Sequence, residues 1–131
     1  MARVELLPES VGPQMKGRGG PEARRALLHR PAMADVIGMF NEVVALSTLE
    51  HRLHEVVRYR IAHVNQCTRC KAFRAPAGIA AGVSEELLSE VVEWRNSSRF
   101  TELERLCLDY AERFCTEPTS ITELHTDALR R

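Results

Sequence analysis

Two residues separate Cys67 from Cys70 in the run Cys67-Thr-Arg-Cys70. One turn of helix brings thiols at this spacing close enough to join as a disulfide. At a helix N-terminus, unpaired backbone N–H groups and the positive end of the dipole favour thiolate over thiol. The thiolate is both the nucleophile and the metal ligand. Arg69, Lys71 and Arg74 add positive charge close by. In a reducing compartment this spacing points to redox or metal chemistry, and a structural pair of small buried cysteines is the plain alternative.

Upstream, His51, Glu55, Tyr59 and His63 recur every four residues and share one face of a helix. The apolar neighbours Leu53, Val56, Val57, Ile61 and Val64 are expected to face a core. That brings Glu55 and Tyr59 to the core boundary and leaves His51 to solvent. A carboxylate at such a boundary titrates closer to neutrality and can move protons. An antiparallel return of the chain after this helix lays the stripe alongside the thiols. Cys67, Cys70 and His63, completed by His51 or His54, would also offer zinc a tetrahedral donor set. The second half of a finger is missing, so no metal is assigned, and no cofactor is implied. Cys107 and Cys115 lie eight residues apart, about two helical turns, and read as small core residues beside Leu106, Leu108 and Phe114. Trp94 reads as core or interface; His29 and His125 carry no usable signal.

These side chains need helices to position them, and the punctuation is helical throughout. Residues 8–21 hold four of the seven glycines and three of the six prolines, a loop or mobile arm. Residues 1–22 are assigned to a flexible arm and 23–131 to one helical domain. From Ala32 to Leu46, Val36, Met39, Phe40, Val43 and Val44 form one apolar stripe. Ser47-Thr-Leu-Glu50 has the form of a capping box, opening a helix that ends near His63 or Val64 at Asn65-Gln66. A third helix is expected from Cys67 or Thr68 to Gly82, kinked or broken by Pro76. Ser84 caps a fourth, with Glu85 and Glu86 in its first turn, closed by Asn96-Ser97-Ser98. Two further capping boxes, Thr101–Glu104 and Ser120–Glu123, open the last two helices, and Pro118 ends the first of these. No segment alternates with period two. The class is all-α, with about six helices.

Composition narrows the partners. The 131 residues carry 18 basic and 18 acidic side chains, a formal charge of zero, which argues against a dedicated nucleic-acid binder. The cluster Arg18, Arg24, Arg25, His29 and Arg30 reads as a solvated arm. No apolar run approaches the ~18 residues of a membrane span, and Met1 to Leu7 has no signal-peptide core. No membrane partner is expected, and a cytoplasmic location follows.

The stretch from about Phe40 to Pro118 resembles the alkylhydroperoxidase D and carboxymuconolactone decarboxylase superfamily. A helix with Arg52 and Glu55 leads into R-I-A-H-V-N-Q-C-T-R-C, with Glu55 twelve residues before Cys67. Ala80-Ala81-Gly82-Val83-Ser84-Glu85-Glu86 is similar to the family's helix end and restart, and Phe100–Glu104 through Asp109–Glu112 to its following helix. The resemblance implies an oligomeric helical fold, as a dimer, trimer or hexamer, that reduces hydroperoxides. Cys70 would be the attacking thiolate, Cys67 the proton donor and resolving thiol, and Glu55 part of the proton relay. An external thiol reductant would reset the disulfide. The decarboxylase branch lacks the cysteine pair. One position departs from the family: Arg74 stands where active members carry a histidine four residues after the second cysteine. Arginine cannot act as a base. It could stabilise a thiolate or orient a peroxide oxygen, and Tyr59 or His63 could assist with the proton. The rival reading is a non-catalytic oligomeric binding or redox-sensing protein that keeps the fold.

Overall fold

The computed structural model describes residues 5, 7–8, 29–45 and 47–130, and all regular structure among them is helical. The expected arm therefore lies almost wholly outside the described residues, as do Arg18, Arg24 and Arg25 of the basic cluster; His29 and Arg30 are exposed. The chain divides into two units, residues 1–48 and 49–131.

The first unit holds helix α1, Pro31–Ala45. Proline suits the first helical position because its missing N–H would have no partner there. Arg30 O accepts from Met33 N at 2.9 Å and Ala34 N at 3.1 Å. The apolar stripe of the sequence is present on this helix. Val36, Met39, Phe40 and Val43, joined by Met33, are each more than half exposed.

In the second unit, helix α2 runs His51–Val64. It starts three residues later than the Ser47 box requires. Glu50 is extended (φ −55°, ψ 135°), so it cannot be the third residue of a helix, and its side chain makes no cap bond. The register follows burial: Leu53, Glu55, Val56 and Ala62 are buried, whereas Leu49 is exposed and adds nothing to the core by being wound in. Gln66 ends the helix at φ +52°, with Gln66 N bonded to His63 O (3.1 Å) and Cys67 N to Ala62 O (3.0 Å). This pair of bonds is a Schellman stop, and it turns Cys67 into the cap position of the next helix.

Pro76 breaks the expected third helix in two. Helix α3, Thr68–Ala72, and helix α4, Pro76–Ala80, are joined by Phe73–Ala75, with Phe73 at ψ 139° and Ala75 at ψ 124°. Proline forces its predecessor out of the helical region and then serves as the first residue of α4. Gly82 (φ +82°) closes α4 with a second Schellman stop, Gly82 N to Ile79 O (2.9 Å) and Val83 N to Gly78 O (3.0 Å).

Helix α5, Glu85–Glu90, is capped by Ser84 Oγ accepting from Leu87 N at 3.3 Å, and continues as a 3₁₀ turn, Val91–Glu93. Helix α6, Glu102–Thr116, opens with the expected box: Thr101 Oγ1 accepts from Glu104 N (3.2 Å), and Glu104 Oε2 accepts from Thr101 N (2.8 Å). The third box forms differently. A 3₁₀ turn, Pro118–Ser120, takes up Ser120, so helix α7, Glu123–Leu129, starts after Thr122. His125 Nδ1 is then the acceptor for Thr122 N at 3.1 Å, a role the sequence did not mark.

Arg52 meets Glu104 at 2.7 Å and, eight residues on in both helices, Arg60 meets Glu112 at 2.8 Å, so α2 and α6 run parallel. Around them Val56, Val83, Leu87, Leu88, Val91, Trp94, Phe100 and Leu108 form the core, with Tyr59 packed against it. Trp94 is core, and its indole N–H donates to Glu112 Oε2 at 3.2 Å. Burial pushes the Glu112 carboxyl up, but hydrogen bonds from Trp94, Arg60 and Arg95 outweigh it and hold the group below its usual range. Cys107 and Cys115 are half-buried rather than core, and Phe114 is exposed. Val57 and Ile61 line an apolar pocket of about 330 Å³ with Leu53, Cys107, Tyr110 and Leu129 instead of the main core.

Candidate functional site: a dithiol clamped to helix α2

Cys67 caps α3, and its Sγ accepts from Cys70 N at 3.2 Å. The two sulfurs are joined as a disulfide, with the Cα atoms 5.3 Å apart. Cys70 is the more exposed of the two. No acidic residue stands in this short helix, and Arg69 and Lys71 flank the second cysteine. The pair therefore has the geometry and the local charge to cycle between dithiol and disulfide.

The chain returns along α2 as the sequence suggested, so residues 70–78 descend past Arg58 and Glu55. Glu55 is 1% exposed. Its oxygens accept from Arg58 Nε and Nη2, both at 2.8 Å, and Oε1 also accepts from Ala75 N at 3.3 Å. The sequence places a lone carboxylate at the core boundary; the structure gives it a bidentate guanidinium partner. A buried carboxylate without such a partner would carry a desolvation cost of several kcal/mol.

Arg58 is a site residue that sequence reasoning missed. Beyond Glu55 it donates to Cys70 O at 2.7 Å and to Phe73 O at 3.0 Å, and its guanidinium lies 5.3 Å from the centre of the Phe73 ring. One side chain thus ties the second cysteine's backbone to the buried carboxylate. Gly78 completes the fit, because a Cβ there would meet Glu55 Cβ and Cγ at 2.8 Å.

Arg74 is bound in place as well. Its Nε and Nη2 donate to Glu85 at 2.6 and 2.8 Å, and Nη1 donates to Phe73 O at 2.9 Å. Hydrogen bonding to Glu85 raises its proton affinity further, so it stays a cation. Its guanidinium lies 5.0 Å from the Tyr59 ring centre, and that ring meets His63 at 4.7 Å. Tyr59, His63 and Arg74 are therefore one cluster. Among the described residues no hydrogen bond joins Tyr59 or His63 to either cysteine. Burial first, then Lys71 and Arg60, lowers the His63 pKa, so its imidazole is neutral at neutral pH. Its Nε2 is buried without a hydrogen-bond partner among the described residues. His51 is exposed, as expected.

Among the described residues no three His, Cys, Asp or Glu side chains are grouped to hold a metal ion. Burial and then Glu104 push the Cys107 thiol up, which disfavours its thiolate. No helix among the described residues is long and apolar enough to cross a membrane.

Fold and site together define an all-helical protein with a vicinal dithiol at a helix start. The model of the Carboxymuconolactone decarboxylase family matches residues 31–113, and the chain belongs to that family. Neither a curated protein nor a solved structure matches it.

Proposed function

We propose that the protein is a thiol-dependent oxidoreductase of the alkylhydroperoxidase D kind, reducing hydroperoxides through Cys67 and Cys70. The observation that carries the reading is the bonded cysteine pair at the start of α3, with the more exposed Cys70 beside two cations. In this reading the Cys70 thiolate attacks the terminal peroxide oxygen. An S–O bond forms, the O–O bond breaks, and the alkoxide takes a proton from Cys67 and leaves as an alcohol. The Cys67 thiolate then attacks the Cys70 sulfenic acid, forming the disulfide and expelling hydroxide, which takes a proton from solvent to become water. An external thiol reductant returns two electrons by exchange. Glu55 serves the thiols, and Tyr59, His63 and Arg74 assist at the proton and the peroxide oxygen. A neutral His63 suits the proton step better than the permanently charged Arg74.

A second reading rests on Arg74. Arginine stays protonated and is here paired with Glu85, so no base stands at the position where active relatives are expected to have one, which favours a slow dithiol switch over rapid turnover. In either reading we place the protein in the cytoplasm as a homo-oligomer. The exposed stripe of α1 supports self-association, because contiguous apolar surface of this kind is a common mark of an interface.

The test is peroxide consumption with a dithiol reductant. Wild type is expected to consume an alkyl hydroperoxide and Cys70→Ser to lose all consumption above the uncatalysed rate; unchanged consumption in Cys70→Ser sinks the assignment.

A further inference from the structure

The Arg58 guanidinium spends its hydrogen bonds in two directions. Toward α2 it holds both oxygens of Glu55, a side chain with almost no exposure; toward α3 it holds the carbonyls of Cys70 and Phe73. Helix α3 is five residues long, too short to be stable by its own hydrogen bonds, so its placement depends on such contacts. Glu55 is itself wedged in place by Gly78 and the Ala75 N–H. The chain of contacts therefore runs from a fixed carboxylate through one cation to the backbone of the second cysteine. The other charges and titrating groups facing this point are Arg69 and Lys71 on α3, Arg74 with its Glu85 partner, and Tyr59 and His63 on α2. Arg74 is bound to an acidic partner at the surface, while Arg58 Nη1 donates to the backbone carbonyl of Cys70.

We propose that Arg58 is the positioning residue of the dithiol: held by Glu55, it fixes the Cys70 backbone through its carbonyl and keeps a positive charge next to that residue as the disulfide opens. The inference rests on the dithiol being reactive. It gives Glu55 a task separate from proton transfer, as the anchor that fixes a cation.

The experiment follows the pH dependence of Cys70 alkylation by iodoacetamide in the reduced 131-residue chain, with the modified peptide identified by mass. No peroxide is involved, so a failed peroxidase assay and a failed positioning role give separate results. In Arg58→Gln the midpoint is expected to rise by about one pH unit, the scale of a lost neighbouring charge. Arg58→Lys, which keeps the charge but not the fork, is expected to lie between the two. Arg58→Gln also strands the Glu55 charge and can unfold the chain. The double variant Glu55→Gln/Arg58→Gln removes both charges, and its midpoint is expected to stay above wild type. A purely structural Arg58 would lower the melting temperature and leave the midpoint in place. A double variant whose profile overlays wild type overturns the proposal, as does a folded Arg58→Gln whose midpoint has not moved.

Discussion

At the scale of single residues, Gly78 packs against Glu55, and Arg58 joins Glu55 to the Cys70 backbone. Gly78 lies against Glu55, and a methyl group added there would meet its Cβ and Cγ at 2.8 Å, near the root of a side chain that cannot swing aside. Gly78→Ala is expected to destabilise the protein by about 1–3 kcal/mol, the usual range for overpacking, and to loosen the Glu55–Arg58 pair. Thermal or denaturant unfolding checks this, and an unchanged midpoint would contradict the packing. The cysteine pair was legible in the sequence because a separation of three residues is itself the geometry of one helical turn. Arg58 was not legible, since its partners Cys70 O and Phe73 O are backbone atoms 12 and 15 residues away and leave no mark in residue type. His125 was missed for a related reason: it occupies the place of the usual Glu in a capping box, where its ring nitrogen does the same work.

Among elements, the sequence was most informative where one residue type forbids an alternative. Pro76 cannot sit inside a helix, and the break between α3 and α4 falls there. The capping boxes were less certain guides. Thr101–Glu104 forms in full, whereas Ser47–Glu50 and Ser120–Glu123 do not, because burial of Leu53 and Val56 and the 3₁₀ turn at Pro118 set the helix starts instead. A cap contributes about 1 kcal/mol and yields to core burial of similar or larger size. Helix α1 supplies the element's own test. Phe40 and Val43 lie on its exposed stripe at 66% and 70% exposure. If that stripe is the self-association surface, Phe40→Asp/Val43→Asp is expected to convert the oligomer to monomer in light scattering after size exclusion, with the helical circular dichroism retained. An unchanged mass would remove α1 from the interface.

Over the whole molecule, the wholly helical punctuation of the sequence restricts the fold class to all-α, and the helices of the described residues agree with it. The parallel course of α2 and α6 was not legible, because it depends on pairings such as Arg52–Glu104 and Arg60–Glu112 that span 52 residues. That pairing builds the platform on which α3 is clamped, so the proposed reactivity of the cysteine pair depends on the assembled chain. Its most direct test is intact mass with thiol alkylation, before and after one equivalent of an alkyl hydroperoxide. The expected result is loss of two hydrogens, with Cys67 and Cys70 protected from alkylation and Cys107 and Cys115 still modified. If Cys67 and Cys70 remain free and fully alkylated after peroxide, the pair is not a peroxide-reactive dithiol and the proposed function is wrong.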